Sequence, residues 1–130
     1  MATSLRQRFG RPEREMRLRV ICAPLGPGKV RLLEAIGETA SINQAAKRMG
    51  LTYARAWGMV EELNGCFEGP LVESTTGGRN GGGTRLTPLG TEVVGLYRAI
   101  EAKAAAAAAA ELAALGARVV KPAEGEEAGD

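Results

Sequence analysis

A chain of 130 residues has room for one globular domain with an additional helix or tail, but not for a second domain of similar size. Apolar residues make up 45% of the chain and aromatic residues only 4%, so aliphatic side chains must build the core. The chain contains no histidine and only two cysteines, Cys22 and Cys66, which argues against zinc sites, iron sites and a base-assisted cysteine nucleophile. We therefore expect no metal, no cofactor and no enzyme activity, and we expect both cysteines to be small buried apolar residues.

The charge is distributed unevenly along the chain. Six arginines and two glutamates lie in the first twenty residues, whereas the last ten residues contain four acidic side chains. A basic body suits a polyanionic partner, although arginine-rich ends are also common as solvated segments. The first twenty residues contain no apolar run suited to a signal peptide or a membrane span, which predicts a cytoplasmic protein. We expect residues 1–16 to form a flexible basic arm and residues 120–130 to form a disordered acidic tail.

Residues 16–40 are predicted to form a short strand followed by a first helix. The segment 16–23 begins with alternating apolar and polar residues and ends in an apolar run, a pattern typical of a strand. Prolines and glycines between residues 24 and 28 then interrupt the chain. Apolar residues at positions 30, 33 and 36 have helical spacing, and Gly37 with Thr39 marks the end of this helix.

Two further helices are predicted on either side of a turn at Gly50. Ser41 is a suitable N-cap for the first of them, and Gln44 three residues later completes a capping box. The apolar stripe of this helix consists of Ile42, Ala45, Ala46 and Met49. Thr52 caps the next helix, which runs to about residue 64. Its apolar side consists of Tyr53, Ala56, Met59, Val60, Leu63 and Phe67. Two capped helices joined by a glycine-containing turn predict a helix-turn-helix.

A glycine-rich loop at residues 76–83 separates two short predicted strands, residues 71–75 and 84–87. This loop has two interpretations, a phosphate cradle and the tip of a β-hairpin wing. The Walker pattern GxxxxGK[ST] is absent, and a Rossmann phosphate loop requires a strand followed by a helix, so the wing is favoured. A wing would bring Arg79, Asn80 and Arg85 to DNA. Arg85 lies at the base of the wing, and a second interpretation of it, as an ordinary surface residue without a DNA contact, stays open.

Thr87 followed by Pro88 predicts the start of a long C-terminal helix within the linker segment 89–119. The alanine block at residues 104–110 has high helix propensity and favours a single helix of roughly 28 residues. Such a helix either packs within the chain or contacts a second copy, and we favour a homodimer because dimers match two DNA half-sites. The candidate dimer contacts are Val93, Leu96, Tyr97, Ile100, Leu112 and Leu115.

These elements predict a mainly α protein with a small β-hairpin. It is a winged helix-turn-helix over residues 17–88, followed by a long C-terminal dimerisation helix. In a helix-turn-helix the second helix lies in the major groove with its N-terminal residues at the base edges. The candidate base-contacting residues are Thr52, Tyr53, Ala54, Arg55 and Gly58. The candidate backbone contacts on the preceding helix are Ser41, Asn43, Gln44, Lys47 and Arg48. A buried helical hairpin with solvated charges is the alternative, but the outer face has no second apolar set to bury.

The same residues resemble the N-terminal domain of molybdate-responsive, ModE-type transcriptional regulators. The resemblance rests on the run from Ser41 to Tyr53, on Ala56-Trp57, on Glu62-Leu63-Asn64 and on the PLVE run at residues 70–73. The loop at residues 77–83 and the following LTPLG run look like that family's wing and the start of its linker helix. LysR-type regulators begin with a related winged helix that lacks this glycine tract.

The resemblance extends over roughly residues 17–101 and implies a homodimeric DNA-binding regulator of genes for molybdate uptake or use. Full-length members of the family carry C-terminal barrel domains that bind the oxyanion, whereas about a dozen residues follow the predicted long helix here. We therefore expect no tight molybdate binding by this chain alone, and stoichiometric uptake in isothermal titration would overturn that expectation.

The sequence leaves two functions open. One is a dimeric regulator that binds a palindromic operator in double-stranded DNA. The other is a winged-helix interaction module that pairs with another regulator without reading DNA itself. A steep loss of nucleic-acid affinity with added salt would favour the first, because phosphate contacts release counterions. The identity of any small-molecule effector is open.

Overall fold

The computed structural model describes residues 16–75 and 83–121. The elements follow in the order α1 (Pro27–Thr39), α2 (Ile42–Met49), α3 (Tyr53–Asn64), β1 (Val72–Thr75), β2 (Gly83–Leu86), α4 (Pro88–Ala107) and α5 (Ala109–Gly116). Three helices, an antiparallel hairpin and C-terminal helices in this order form the mainly helical winged helix-turn-helix that the sequence predicts.

The predicted strand at residues 16–23 is wrong. This segment makes only an isolated antiparallel bridge, in which Cys22 and Leu25 exchange backbone hydrogen bonds of 2.9 and 2.7 Å across the turn at Pro24. An apolar alternation forms a strand only where a neighbouring strand accepts its backbone groups, and in the described residues β1 and β2 pair with each other and not with this segment. The segment is held instead by the Tyr97 hydroxyl, which donates to the Val20 carbonyl at 2.5 Å.

Helix α1 is the centre of the core. The fully buried aliphatic residues of this helix are Val30, Leu32, Leu33 and Ile36. The other helices add Ala45 and Ala46 from α2, Ala56, Val60 and Leu63 from α3, and Tyr97 from α4. Gly37 lies in the last turn of α1, and the helix ends at Thr39, where the sequence predicts its end. A Cβ on Gly37 would lie 3.3 Å from the Leu86 Cδ1 atom, so the small residue allows β2 to approach the helix. The residue that follows the helix, Ala40, has a left-handed φ of 60°.

The N-terminus of α2 confirms the predicted Ser41 cap. The Ser41 Oγ atom accepts from the Gln44 backbone N–H at 3.0 Å. In a full capping box the Gln44 side chain would accept from the Ser41 backbone N–H. That N–H donates instead to the Thr39 Oγ1 atom at 3.3 Å. The Thr39 hydroxyl, which also donates to the Ala35 carbonyl at 2.8 Å, therefore links the end of α1 to the start of α2.

The turn between α2 and α3 closes as a Schellman motif. Gly50 has a left-handed φ of 72°, the Leu51 N–H donates to the Ala46 carbonyl at 2.9 Å, and the Gly50 N–H donates to the Lys47 carbonyl at 3.2 Å. Leu51 packs against the core cluster, which is the apolar contact that accompanies this motif. The predicted turn at Gly50 is confirmed, and the motif determines the direction in which the chain continues from α2 towards α3.

The hairpin pairs Val72 with Leu86 at its base and Thr75 with Gly83 at the edge of the described residues. Strand β2 is also joined to the helix-turn-helix, because the Thr84 N–H donates to the Ala40 carbonyl at 3.0 Å. The tip of the predicted wing, with Arg79 and Asn80, lies outside the described residues.

The predicted single C-terminal helix is wrong, since α4 ends at Ala107 and α5 starts at Ala109. Ala108 between them has φ −102° and ψ 12°. Alanine propensity predicts helix equally well at each of residues 104–110 and contains no signal for a break. None of the helices among the described residues combines the length and the apolar character needed to cross a lipid bilayer.

Candidate nucleic-acid interface

The first turn of α3 projects from the surface of the molecule. The Thr52 Oγ1 atom accepts from the Arg55 N–H at 3.1 Å, which confirms the predicted N-cap. Thr52, Ala54 and Arg55 are exposed, and Ala56 is the first residue of α3 that is fully buried. This arrangement leaves the N-terminal end of α3 accessible to the base edges of a DNA groove.

Gly58 lies one turn further along the exposed side of α3. A Cβ atom on Gly58 would meet no atom within 4 Å, so packing within the described residues does not require a glycine there. Glycine in a helix interior costs about 1 kcal/mol relative to alanine. The absence of a side chain together with the small side chain of Ala54 leaves a smooth strip that allows the helix backbone to approach another surface closely.

The basic candidates fall into two groups. Among the described residues, Arg55 and Lys47 form no ion pair, so both charges are available to a phosphate or a base. Arg48 pairs with Glu38 on α1, and the Arg85 Nε atom lies 2.8 Å from the Glu73 Oε2 atom across the hairpin. The charges of Arg48 and Arg85 are therefore already balanced by a carboxylate, and loss of that carboxylate would strengthen their attraction to a phosphate.

The remaining candidates on α2 occupy its outer face. Asn43 and Gln44 are exposed, and α2 packs on α1 and α3 through its opposite side. Ser41 is half-buried, and its hydroxyl already accepts the hydrogen bond that caps α2. Ser41 is therefore primarily a capping residue in the structure, whereas the exposed amide side chains of Asn43 and Gln44 form no hydrogen bond within the part of the chain that the structure describes.

Tyr53 was predicted on the apolar side of α3, and the structure corrects that placement. Its side chain is 53% exposed, and Trp57 one turn later is 41% exposed. Tyr53 is the first residue of α3, and the buried set of this helix starts only at Ala56. A helical wheel shows the angle of a side chain but not how far the neighbouring helix extends along the axis, which explains the error.

Asn64, to which no individual role was assigned from the sequence, holds the end of α3 to the hairpin. Its Oδ1 atom accepts from the Leu71 and Val72 N–H groups at 2.8 and 3.2 Å, and its Nδ2 atom donates to the Val72 carbonyl at 3.1 Å. One amide side chain thus satisfies three backbone groups at the start of β1. The side chain sets the angle between α3 and the wing.

Thr87 and Gly90 attach the start of α4 to the residues just before β1. The Thr87 Oγ1 atom donates to the Pro70 carbonyl at 2.7 Å and accepts from the Gly90 N–H at 2.9 Å, while the Thr87 N–H donates to the Leu71 carbonyl at 2.9 Å. A Cβ on Gly90 would lie 2.2 Å from the Leu71 carbonyl oxygen, so α4 can lie this close to the start of the hairpin only because residue 90 is a glycine. The predicted N-cap is confirmed, and it also determines the position of α4.

An ion-pair network joins α4 to α1. The Arg98 Nε and Nη2 atoms lie 2.9 and 2.7 Å from the two carboxylate oxygens of Glu34, and its Nη1 atom lies 2.6 Å from Glu101. The hydrogen bonds from Arg98 lower the pKa of Glu34 below the ordinary value of 4.5. The same pairing with Glu34 raises the pKa of Arg98.

The candidate dimer residues divide into buried and exposed sets. Val93 and Tyr97 are only 7% and 1% exposed and lie in the core of the chain itself, so they do not present a surface to a second copy. This corrects their assignment: the positions have the spacing of an apolar stripe, but the chain's own helices cover it. Leu96, Ile100 and Leu115 are exposed.

The burial of Leu112 is intermediate between these two sets.

The expectation that both cysteines are buried is also wrong, since Cys66 is exposed and Cys22 is half-buried.

Comparison with known proteins agrees with this geometry. Residues 28–91 match the model of the bacterial regulatory helix-turn-helix proteins of the LysR family. The match begins in α1 and ends in α4, so it includes the whole helix-turn-helix and the hairpin. The chain therefore contains a bacterial regulatory helix-turn-helix domain of the LysR type.

Within that class the chain is homologous to the N-terminal region of the ModE and Mop proteins. It is 47% identical over 77 residues to the molybdenum transport protein ModE of Azotobacter vinelandii, covering 59% of this chain and 28% of that protein. It is 43% identical over 93 residues to the molybdenum-pterin-binding protein MopB of Rhodobacter capsulatus, covering 72% and 34%. It is 42% identical over 71 residues to the DNA-binding transcriptional dual regulator ModE of Escherichia coli K12, covering 55% and 27%. The matches thus span about a third or less of each relative.

Proposed function

We propose that this chain binds double-stranded DNA sequence-specifically as part of a transcriptional regulator linked to molybdenum. The observation that carries the proposal is the exposed first half of α3, where Arg55 has no carboxylate partner among the described residues and Ala54 and Gly58 leave the backbone accessible. The link to molybdenum comes from the ModE and MopB relatives.

Arg55 is the proposed base-reading cation. An arginine on the first turn of a recognition helix can donate two hydrogen bonds to the O6 and N7 atoms of guanine in the major groove. Thr52 and Ala54 flank it and offer a hydroxyl and a methyl group to neighbouring bases.

Contacts from α2 and the wing would place the helix without reading sequence. Lys47 supplies an unpaired charge to a phosphate, and Asn43 and Gln44 supply amide groups. Arg48 would contribute after release from Glu38, and Arg85 would contribute in the same way after release from Glu73. The proposal also includes Arg79 and Asn80, which the sequence predicts at the tip of the wing.

The second part of the proposal is a homodimer formed through α4 and the N-terminal segment. Leu96 is 57% exposed, and Ile100 follows it by one turn on the same side of α4. The hydrogen bond from Tyr97 to Val20 holds residues 18–21 against this helix, and Ile21 on that segment is also exposed. A second copy that covers these aliphatic side chains would remove them from water.

Sedimentation velocity of the full chain tests the dimer. The double variant Leu96→Ser with Ile100→Ser is expected to sediment as a monomer at concentrations where the unsubstituted chain is dimeric, because it places hydroxyl groups in the interface. Leu115→Ser is the matched control for α5, and it shows whether the interface extends beyond the break at Ala108. A dimer that persists in the double variant would place the interface elsewhere.

Selection of genomic fragments by the purified protein, at about 150 mM ionic strength, tests DNA reading. We expect an inverted repeat to emerge, and we expect Arg55→Ala to select it much more weakly. Arg118→Ala is the matched control, because Arg118 is also an exposed arginine but lies after α5. Binding that is salt-sensitive but independent of sequence would contradict the proposal and would favour a partner-binding winged helix.

A further inference from the structure

Two aromatic side chains lie exposed on α3, and neither the core nor the proposed base contact of Arg55 uses them. Tyr53 and Trp57 are four positions apart, so they lie on nearly the same side of the helix, about 40° apart around its axis. Of the other aromatic residues in the described part of the chain, Tyr97 is in the core and Phe67 packs partly against it. The exposed aromatic area of the described residues is thus concentrated on one helix.

The position of the pair on α3 relates it to the proposed groove-facing surface. Stepping 100° per residue, Tyr53 and Trp57 lie on one flank of the strip formed by Ala54 and Gly58, and Arg55 lies on the other flank. The surface therefore has an apolar edge, a smooth centre and a cationic edge. All of these residues belong to the first half of α3, the part of a recognition helix that contacts base edges.

The cationic edge and the apolar edge are suited to different chemical groups on the DNA bases. An arginine is suited to the hydrogen-bond acceptors of guanine or to a phosphate. The C5-methyl group of thymine is the apolar feature that the major groove presents, and side chains such as alanine and phenylalanine contact it. A partner with a uniformly apolar surface would leave Arg55 and Lys47 without a counter-charge, whereas DNA accommodates both edges.

We propose that Tyr53 and Trp57 form an edge of the α3 surface that recognises thymine. This inference rests on the proposed DNA binding. Their rings contact thymine C5-methyl groups on the side of the half-site opposite to the base or phosphate that Arg55 contacts. Recognition at these positions depends on the methyl group itself and not on a hydrogen bond. The half-site must therefore contain thymine where the aromatic edge lies.

Replacement of single thymidines by 2′-deoxyuridine tests this edge directly, because the change removes the methyl group and leaves the base-pairing atoms in place. With the operator obtained by fragment selection, the unsubstituted chain is expected to lose about fourfold in affinity at one or two positions per half-site, since burial of one methyl group has about that effect. Trp57→Gln or Tyr53→Gln is expected to bind more weakly and to lose this sensitivity at its own position. Glutamine keeps helix propensity high, and both side chains are exposed, so we expect the fold to be retained.

Arg55→Ala is the matched variant on the opposite edge. It is expected to weaken binding while the thymidine and deoxyuridine operators still differ about fourfold. Equal affinity for all deoxyuridine operators and the thymidine operator in the unsubstituted chain would overturn the inference without need of any variant. Sensitivity that persists undiminished in both aromatic variants would also overturn it, because another residue would then read the methyl group. If the chain selects no specific sequence at all, the proposed DNA reading fails and the thymine edge fails with it.

Discussion

The helix-turn-helix and the C-terminal helices use exposed side chains in opposite ways. On α3 the exposed set combines an arginine that has no ion pair with residues 16–75 or 83–121, small residues and two aromatic rings, a mixture suited to a polar and charged partner. On α4 the central cation Arg98 is paired with Glu34 and Glu101, and the exposed large side chains Leu96 and Ile100 are aliphatic. An exposed surface therefore indicates what kind of partner it binds only after the charged residues in ion pairs have been distinguished from those without one.

The two regions also differ in how they are held. Helix α2 meets α1 and α3 through alanines and short aliphatic side chains, with capping hydroxyls at both helix starts. Helix α4 is fixed at its start by hydrogen bonds and close backbone contact near Leu71, and then by Tyr97 and Arg98. Beyond residue 101, the side chains of α4 and α5 are exposed or only half-buried. The start of α4 is thus fixed to the base of the hairpin and to the core, whereas its far end is not covered by the described residues.

Gly90→Ala should have the largest effect on this arrangement. The new methyl group would lie 2.2 Å from the Leu71 carbonyl oxygen, so α4 must move away from the hairpin base. We expect a loss of about 3 kcal/mol or more in the free energy of unfolding, measured by urea denaturation. Gly95→Ala on the same helix is the control, because a Cβ there meets nothing within 4 Å, and it should stabilise the protein by about 1 kcal/mol. Comparable stability of the two variants would show that α4 does not depend on this close approach.

Gly58→Gln tests whether the smooth strip of α3 is required for function and not for folding. The substitution meets open space, so it should raise the free energy of unfolding by about 0.5 kcal/mol while DNA affinity falls about tenfold or more. Gly95→Gln on α4 should give a similar gain in stability with unchanged affinity, as measured by fluorescence anisotropy with the selected operator. Full affinity in Gly58→Gln would mean that this part of α3 does not lie against the bases.

Glu38→Gln is expected to have a moderate effect in the opposite direction. It releases Arg48 from its carboxylate, so one more cation becomes available to a phosphate. DNA affinity should rise severalfold, and the slope of log affinity against log salt should become steeper by up to about 0.9, the value for one phosphate contact. Lys47→Ala, which removes a charge that is already free, should make the slope shallower by a similar amount. An unchanged slope in Glu38→Gln would remove Arg48 from the proposed interface.

The smallest expected effect concerns acid stability. The pKa of Glu34 is lowered in the folded state by Arg98, so this pair stabilises the fold above the ordinary pKa of 4.5, and the contribution is lost as the pH falls through the lowered value. Both side chains are partly exposed, so the contribution should stay within about 1 kcal/mol. Thermal melts of Glu34→Gln should therefore show less loss of stability than the unsubstituted chain between neutral and strongly acidic pH. Equal slopes in both proteins would exclude this pair as a source of acid sensitivity.

Local signals were sufficient where a residue's role is determined by its immediate neighbours in the chain. Ser41, Thr52 and Thr87 accept backbone N–H groups three positions later, and Gly50 takes the left-handed conformation. Such caps were predictable because they involve hydrogen bonds within one turn of helix. Prediction failed where a distant segment decides the outcome. Tyr97 has the spacing of a dimer stripe but is covered by the chain's own core.

The sequence by itself determined the order of the first three helices and the hairpin, the caps, the turn between α2 and α3, and the set of candidate residues on α3, because each follows from periodicity and backbone hydrogen bonding over a few positions. Only the tertiary structure decided which cations are already paired, which aromatic residues are exposed and where the wing and α4 attach. Those outcomes depend on contacts such as Arg48 with Glu38, Asn64 with Val72 and Gly90 with Leu71. These partners lie between 8 and 19 positions apart, beyond the reach of a local pattern.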